Sequence, residues 1–179
     1  MVFDIREIGD EGLSLSFFAD KDQLEFDKVG LSVSDNVAVS GLLTMIGDDI
    51  YLNGKAMTNV ILSCSRCLED FSYHIYSDLK THFMPFTDQF VSSGEIELHA
   101  SDIEVELYES QRIDLTQSVR DSILLGVPVI CLCKKNCKGI CFECGKNINQ
   151  GSCRCAKESF VDKRLEILNV FKDKFEEGE

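Results

Sequence analysis

The sequence lacks any long hydrophobic run. Its longest mostly apolar stretch, residues 123–133, is far shorter than the ~20 residues that a helix needs to cross a bilayer. Residues 1–7 mix acidic, basic and apolar side chains, and no apolar segment typical of a secretory signal follows them. We therefore expect neither a membrane partner nor an export signal.

Basic residues are scarce, with 18 Lys and Arg against 31 Asp and Glu for a net charge of −13. The distribution is uneven, because residues 1–127 carry −15 while residues 128–164 carry +5. Since a phosphate backbone attracts cations and repels acidic groups, this distribution argues against nucleic-acid binding over the whole surface and allows it through one basic face. The alternative that these lysines only keep a small metal loop in solution stays open.

Histidine is also scarce, and the only three are His74, His82 and His99. A catalytic metal usually has an open coordination position and His or carboxylate ligands. No Gly-rich phosphate loop, nucleophile elbow or Ser/His/Asp order occurs either. A reactive dithiol at Cys64 and Cys67 would need a helix N-terminus, whereas this pair lies between two predicted strands. We predict that the protein is not an enzyme and has no small-molecule substrate.

Cysteine, by contrast, is abundant. The nine cysteines are Cys64, Cys67, Cys131, Cys133, Cys137, Cys141, Cys144, Cys153 and Cys155. Their number is odd and several lie two or three positions apart, so a secreted disulfide scaffold does not fit. In a reducing cytosol such clusters more often hold metal. The sequence therefore predicts a cytoplasmic metal-binding protein.

One four-cysteine site is predicted within fifteen residues. A pair of cysteines separated by two residues lets one tight turn direct two sulfurs at the same ion. Such a pair is followed by Gly145, which suits the turn of a zinc knuckle, and then by two more cysteines after a short loop. This group, called the first tetrad, consists of Cys141, Cys144, Cys153 and Cys155.

Four of the other five cysteines predict a second metal site, which would join the predicted sheet to the cysteine-rich segment. This group, called the second tetrad, consists of Cys64, Cys67, Cys133 and Cys137. A different partition would share Cys137 with the first tetrad and leave the Cys64/Cys67 pair without an ion. Cys131 fits neither site and is predicted to be a small buried hydrophobe. Thiolate tetrads favour Zn²⁺, as one or two ions, over iron–sulfur ligation.

Hydrophobic periodicity predicts an antiparallel meander before the cysteine-rich segment. Strands are expected at 37–46 and 51–62, although Asn53-Gly54 would split the second strand if it formed a turn. Residues 71–83 alternate apolar and polar side chains, which is typical of a half-buried strand. Residues 87–110 predict an acidic loop, with a short edge strand around 103–107.

Two helices complete the predicted fold. Asp114 and Gln117 suggest a capping box that opens one helix, and Gly126 ends it. A second amphipathic helix is expected at 162–175. The predicted class is α+β, with three parts: an antiparallel meander in 1–127 that has a helix near 114–125, a zinc-ribbon-like segment at 128–160, and a C-terminal helix in 161–179 that packs back.

The cysteine motifs resemble those of one known family. The motifs are Cys64-Ser-Arg-Cys67-Leu-Glu, Val127-Pro-Val, Cys133-Lys-Lys-Asn-Cys137-Lys-Gly-Ile-Cys141-Phe-Glu-Cys144-Gly-Lys-Asn-Ile-Asn and Cys153-Arg-Cys155. They resemble the YceD family, also called DUF177, over most of residues 37–168. The resemblance implies a non-enzymatic role in the accumulation, processing or stability of large-subunit (23S) ribosomal RNA, and hence in ribosome biogenesis.

Two hypotheses describe what such a protein would contact. In the first, basic residues meet large-subunit rRNA or its precursor. In the second, a zinc ribbon binds a basic ribosomal protein and never touches RNA. The candidate contact residues are Lys134, Lys135, Lys138, Lys146, Arg154 and Arg66.

Overall fold

The computed structural model describes residues 1–86, 105–153 and 155 of the 179-residue chain. The chain divides into two compact units, Met1–Cys137 and Lys138–Glu179. Arg154, the predicted C-terminal helix and most of the predicted acidic loop lie outside the described residues, and the predicted three-part division stays a prediction. Over the described ranges, no helix combines the length and apolarity needed to cross a bilayer.

The described part of the first unit contains eight strands and one α-helix. They are β1 (Val2–Asp4), β2 (Leu13–Ala19), β3 (Ser32–Val33), β4 (Val37–Ile46), β5 (Asp49–Ser63), β6 (Asp70–Pro85), β7 (Val105–Tyr108), β8 (Arg112–Asp114) and α1 (Thr116–Leu125). Six strands form one sheet in the order β2-β4-β5-β6-β7, with β3 paired to β5, and β1 pairs with β8. This architecture agrees with the predicted α+β class.

The main sheet is mixed. β4, β5 and β6 form the predicted antiparallel meander, but β7 runs parallel to β6 with Val105 opposite His82. A parallel neighbour needs a long connection, and nineteen residues, 86–104, separate β6 from β7 in the sequence. The prediction of a wholly antiparallel sheet is therefore wrong at this edge, whereas the short strand expected around 103–107 is present as β7.

One face of the main sheet carries the hydrophobic core. On β6 the predicted alternation is confirmed, since Ile75, Leu79 and Phe83 are each 1% exposed. α1 covers this face, with Val119 and Ile123 fully buried. The position of α1 is fixed because the face of the sheet is apolar and the helix presents a matching stripe.

The start of α1 differs from the predicted capping box. Helical geometry begins at Thr116, and Asp114 Oδ1 accepts hydrogen bonds from the Thr116 N–H at 3.0 Å and the Thr116 hydroxyl at 2.5 Å. Gln117 instead donates to Asp121 one turn later, at 2.8 Å. The Asp114 carboxylate therefore accepts a free N–H of the first turn of α1. The second half of a capping box, a hydrogen bond from the Gln117 side chain back to the cap, is replaced by the Gln117–Asp121 contact. α1 ends at Leu125 with Gly126 as its cap, as predicted.

Gly54 lies inside β5, so Asn53-Gly54 does not form a turn. It pairs with Gly41 of β4, and a Cβ added to Gly54 would lie 2.4 Å from the Ser40 carbonyl oxygen and 2.9 Å from Gly41 Cα. Both obstacles are backbone atoms, which cannot rotate away. The glycine pair permits this close approach of the two strands.

We expect Gly54→Ala to destabilise the first unit. The added methyl group forces the backbones of β4 and β5 apart, and overpacking of this kind costs about 1–3 kcal/mol. The measurement is the free energy of unfolding in urea. Gly9→Ala is the matched control, because no atom lies within 4 Å of a Cβ at Gly9. Equal stability of the two variants would contradict the close approach.

Two candidate metal centres

The turn between β5 and β6 presents one half of the second tetrad. Cys64 follows the last residue of β5, and its N–H donates to the Glu69 carbonyl at 2.9 Å. The Leu68 N–H donates back to the Cys64 carbonyl at 2.9 Å, and Leu68 has a φ of 60°. These bonds close a tight loop in which Cys64 and Cys67 are both buried. The two-residue spacing thus produces the geometry that it predicted.

The loop after α1 presents the other half. Cys64 Sγ lies 3.8 Å from Cys137 Sγ, and Cys67 Sγ lies 3.7 Å from Cys133 Sγ. All four sulfurs fall within 4.8 Å of one another. Four thiolates bound tetrahedrally at ~2.3 Å from one ion would be separated by ~3.8 Å. The second tetrad therefore has the dimensions of a site for one tetrahedral ion, and Cys137 lies in it rather than with the first tetrad.

Three hydrogen bonds outside the sulfurs hold these two halves together. The Ser65 N–H donates to the Cys131 carbonyl at 2.7 Å, and the Cys131 N–H donates to Ser65 Oγ at 3.1 Å. The Arg66 guanidinium donates to the Cys137 carbonyl at 2.9 Å. Sequence reasoning missed this role of Ser65, since only its position within the Cys64-Ser-Arg-Cys67 motif hinted at it.

Cys131 belongs to neither tetrad. It is half-buried, packs against the main core, and its thiol lies 3.2 Å from the Pro128 carbonyl. The prediction of a small hydrophobe in the core therefore holds in part. The backbone of Cys131 has a separate role. Its N–H and carbonyl bond Ser65, and these two hydrogen bonds position the loop that contains Cys133.

Local electrostatics favour the thiolate form of one cysteine in each tetrad and disfavour it for others. Backbone N–H groups, that of Cys133 first, lower the pKa of the Cys64 thiol to about 6 although burial opposes this. Burial and then the neighbouring thiols raise the pKa of Cys133 to about 12. In the first tetrad, the N–H groups of Cys144 and Glu143 lower the pKa of Cys141 to about 7. A cation placed among the four sulfurs would favour loss of the thiol protons, because its charge stabilises thiolates.

The first tetrad is assembled by short-range bonds of the second unit. The Gly145 N–H donates to the Cys141 carbonyl at 2.9 Å, and the Cys141 N–H donates to the Lys146 carbonyl at 2.8 Å. Gly145 has a φ of 69°, as the predicted knuckle turn requires. The four sulfurs of the first tetrad, including those of Cys153 and Cys155, all lie within 4.8 Å of one another.

The predicted contact residues fall in both units. Lys134 and Lys135 are exposed in the loop between Cys133 and Cys137, and Arg66 is exposed at the β5–β6 turn. Lys138 and Lys146 are exposed in the second unit, where the Lys146 ammonium donates to the Ser152 carbonyl at 3.3 Å. Each described member of the predicted contact set therefore lies within two residues of a tetrad cysteine in the sequence.

One four-cysteine cluster lies in the sheet unit and another lies in the second unit, so the class is a small α+β protein with two candidate structural metal centres. The family described as large ribosomal RNA subunit accumulation protein YceD matches residues 52–172, about two thirds of the sequence, and the chain belongs to this family.

Three curated relatives are similar to the chain. A chloroplastic YCED homolog 1 of Arabidopsis thaliana, named a large ribosomal RNA subunit accumulation protein, is 26% identical over 72% of the chain and 46% of its own length. The Zea mays protein of the same name is 28% identical over 82% of the chain and 57% of its own. An uncharacterized protein of Mycobacterium leprae is 27% identical over 58% of the chain and 45% of its own.

The chain thus spans about half the length of the curated relatives it matches. No solved structure matches it.

Proposed function

We propose that this protein is a non-enzymatic, zinc-binding factor that supports the accumulation of large-subunit ribosomal RNA. The observation that carries the proposal is membership of the YceD family together with the names of the two plant relatives. We place this activity in the cytoplasm, although the plant relatives are named as chloroplastic proteins. Processing or stabilisation of the rRNA is the step at which such a factor would act.

Zinc is the ion that the tetrads suit best, with a structural role. Four cysteines complete a tetrahedral coordination sphere, so no position is left for substrate or water. Sulfur separations of 3.7 and 3.8 Å in the second tetrad match one ion. A cluster of several iron atoms would spread the four sulfurs further apart.

The exposed basic loop beside the second tetrad is the part proposed to meet rRNA. Lys134 and Lys135 project from a loop that the metal and the Ser65–Cys131 bonds would hold rigid. A preorganised loop loses less conformational entropy when it binds. Arg66, Lys138, Lys146 and Arg154 extend the proposed contact set.

We expect Lys134→Gln/Lys135→Gln to weaken binding to large-subunit rRNA fragments without changing the fold. Loss of two phosphate contacts on single-stranded RNA makes the negative slope of log affinity against log salt shallower by about 1.4. The measurement is fluorescence anisotropy across a salt series. Arg6→Gln/Lys28→Gln removes the same charge from exposed side chains and serves as control. An unchanged slope would exclude direct phosphate contact by this loop.

A basic ribosomal protein is the second candidate partner. The charge of −15 on residues 1–127 favours it, because an acidic surface attracts a basic partner and repels RNA. This version predicts salt-sensitive binding to ribosomal proteins without binding to RNA.

Ultraviolet crosslinking in living cells, with purification under denaturing conditions and sequencing of the attached RNA, separates the two versions. Reads concentrated on large-subunit rRNA or its precursor support direct contact. A folded, expressed protein with no RNA above background would refute direct contact and favour the ribosomal-protein partner.

A further inference from the structure

The face of the main sheet opposite the hydrophobic core carries an ordered set of aromatic and polar side chains, of which Phe18 and Tyr76 are exposed and Tyr51 and His82 are half-buried. Strand pairing arranges them in rows that cross four strands, β2, β4, β5 and β6. Neither the metal centres nor the basic loops use this surface, which is here called the open face.

The first row runs across the sheet at the level of Tyr76. Its members are opposite one another in the order Phe18, Ala38, Met57 and Tyr76. Phe18 is 76% exposed and Tyr76 is 54% exposed. At ~4.8 Å between strands, the two rings stand about 14 Å apart, with smaller or flexible side chains between them. The row therefore offers two separate aromatic surfaces.

The second row contains a preformed aromatic stack. Tyr51 and His82 are cross-strand partners whose ring centroids lie 4.4 Å apart at an interplanar angle of 11°. Asp49 lies 3.4 Å from His82 Nε2. His82 lies six positions after Tyr76, which corresponds to about 20 Å along β6.

Between the two rows lie cations, hydroxyl groups and an amide. Lys55 and Lys80 are exposed there, opposite Asp78 and Asn53 respectively. Lys55 donates a hydrogen bond to the Tyr76 hydroxyl, and its ammonium lies 4.6 Å from the centroid of the Tyr76 ring. Two lysines thus face one aspartate between the rows, so this strip is weakly positive on an otherwise acidic unit.

We propose that the open face binds a single-stranded segment of RNA, with bases stacked on Tyr76 and on the Tyr51/His82 pair and with phosphates near Lys55 and Lys80. The inference rests on the proposed function and names a surface for it. Sequence-tolerant recognition of single strands uses aromatic faces beside cations. Asn53, with one amide donor group and one carbonyl, matches the polar edges of bases.

The composition of the open face favours RNA over a protein partner. Lysine and serine are depleted at the cores of protein interfaces, yet Lys55, Ser16 and Ser40 occupy the row next to Tyr76. A continuous aliphatic surface is what a protein partner would bury. Here the strip between the Tyr76 row and the Tyr51/His82 pair is mostly polar, with Leu42 as its one apolar side chain of β4, so no such surface joins the two aromatic sites.

The test measures binding of a fluorescein-labelled 12-nucleotide uridine RNA by the zinc-loaded protein. Tyr76→Ala removes one stacking surface and is expected to weaken binding about 5- to 150-fold. The salt slope stays unchanged, since no charge is removed. Tyr76→Phe keeps the ring and binds like the wild type. Tyr73→Ala, on the same strand but pointing to the other face, is the matched control and has no effect on affinity.

Mass spectrometry of peptides crosslinked to RNA in the wild-type protein gives a second readout that needs no variant. RNA adducts on the β5 and β6 peptides that contain Tyr51, Tyr76 or His82 support the proposal. Adducts confined to residues 133–138, or Tyr76→Ala binding as tightly as the wild type, overturn it while the proposed function stands. Crosslinks from the open face to a protein also overturn it. If the wild-type protein binds no RNA at all, the direct-contact version of the proposed function fails too.

Discussion

Replacement of Cys64 by serine is expected to reduce bound zinc from two ions to one and to release the loop that contains Cys133. Cys64 is fully buried and its sulfur faces Cys137, which is 73 residues further along the chain. A structural zinc site has an apparent binding energy of ~10–16 kcal/mol. Three thiols cannot close the tetrahedral shell, so most of that energy is lost. The connection between the β5–β6 turn and residues 133–137 then depends on a few hydrogen bonds.

Metal content by mass spectrometry and limited trypsin digestion measure the two effects. Lys134 and Lys135 provide cleavage sites inside the released loop, and cleavage there becomes faster than in the wild type. The sheet remains folded, because its core residues such as Ile75 and Val119 lie in a separate hydrophobic cluster.

Cys131→Ser is the matched control for this variant. Cys131 lies two residues from Cys133 but belongs to neither tetrad, so two ions and slow cleavage are expected. If Cys64→Ser retained both ions, the second tetrad would not be a metal site. If Cys131→Ser lost one, the partition of the cysteines would be wrong.

Replacement of Cys144 by serine is expected to unfold the described part of the second unit while the first unit keeps its stability. Within residues 138–153, the elements are one isolated bridge, Ile140 to Asn147, and one 3-10 turn, Ile148–Gln150. Among the hydrophobic residues of that stretch only Cys141 is buried. Such a segment has no apolar core to stabilise it, so its fold depends on the ion.

The expected readouts are loss of one zinc ion and rapid tryptic cleavage after Lys138 and Lys146. The urea unfolding transition of the sheet stays in place. Phe142→Ala is the control, since Phe142 is 76% exposed next to Cys141 and is not part of the tetrad. A Cys144→Ser protein that keeps two ions and resists trypsin at Lys146 would show that the ribbon folds without this ligand.

The sequence by itself determined those features of this protein that depend on residues close together in the chain. The first tetrad was predictable because its four cysteines lie within fifteen residues and Gly145 permits the knuckle turn. The apolar stripe of α1, with Val119 and Ile123, was predictable for the same reason, since helical spacing reports which side chains share a face. The strand at 71–83 followed from its alternation.

Only the tertiary structure decided what distant residues do together. Cys64 and Cys137 lie side by side because the β5–β6 turn and the loop after α1 meet, and no local pattern encodes that meeting. The parallel pairing of β7 joins strands that are distant in the sequence, and Gly54 stays within a strand because Gly41 lies opposite it. The rows of the open face, likewise, require the register of four strands. Sequence spacing fixes which neighbours share a turn or a face, whereas long-range contacts depend on how the whole chain packs.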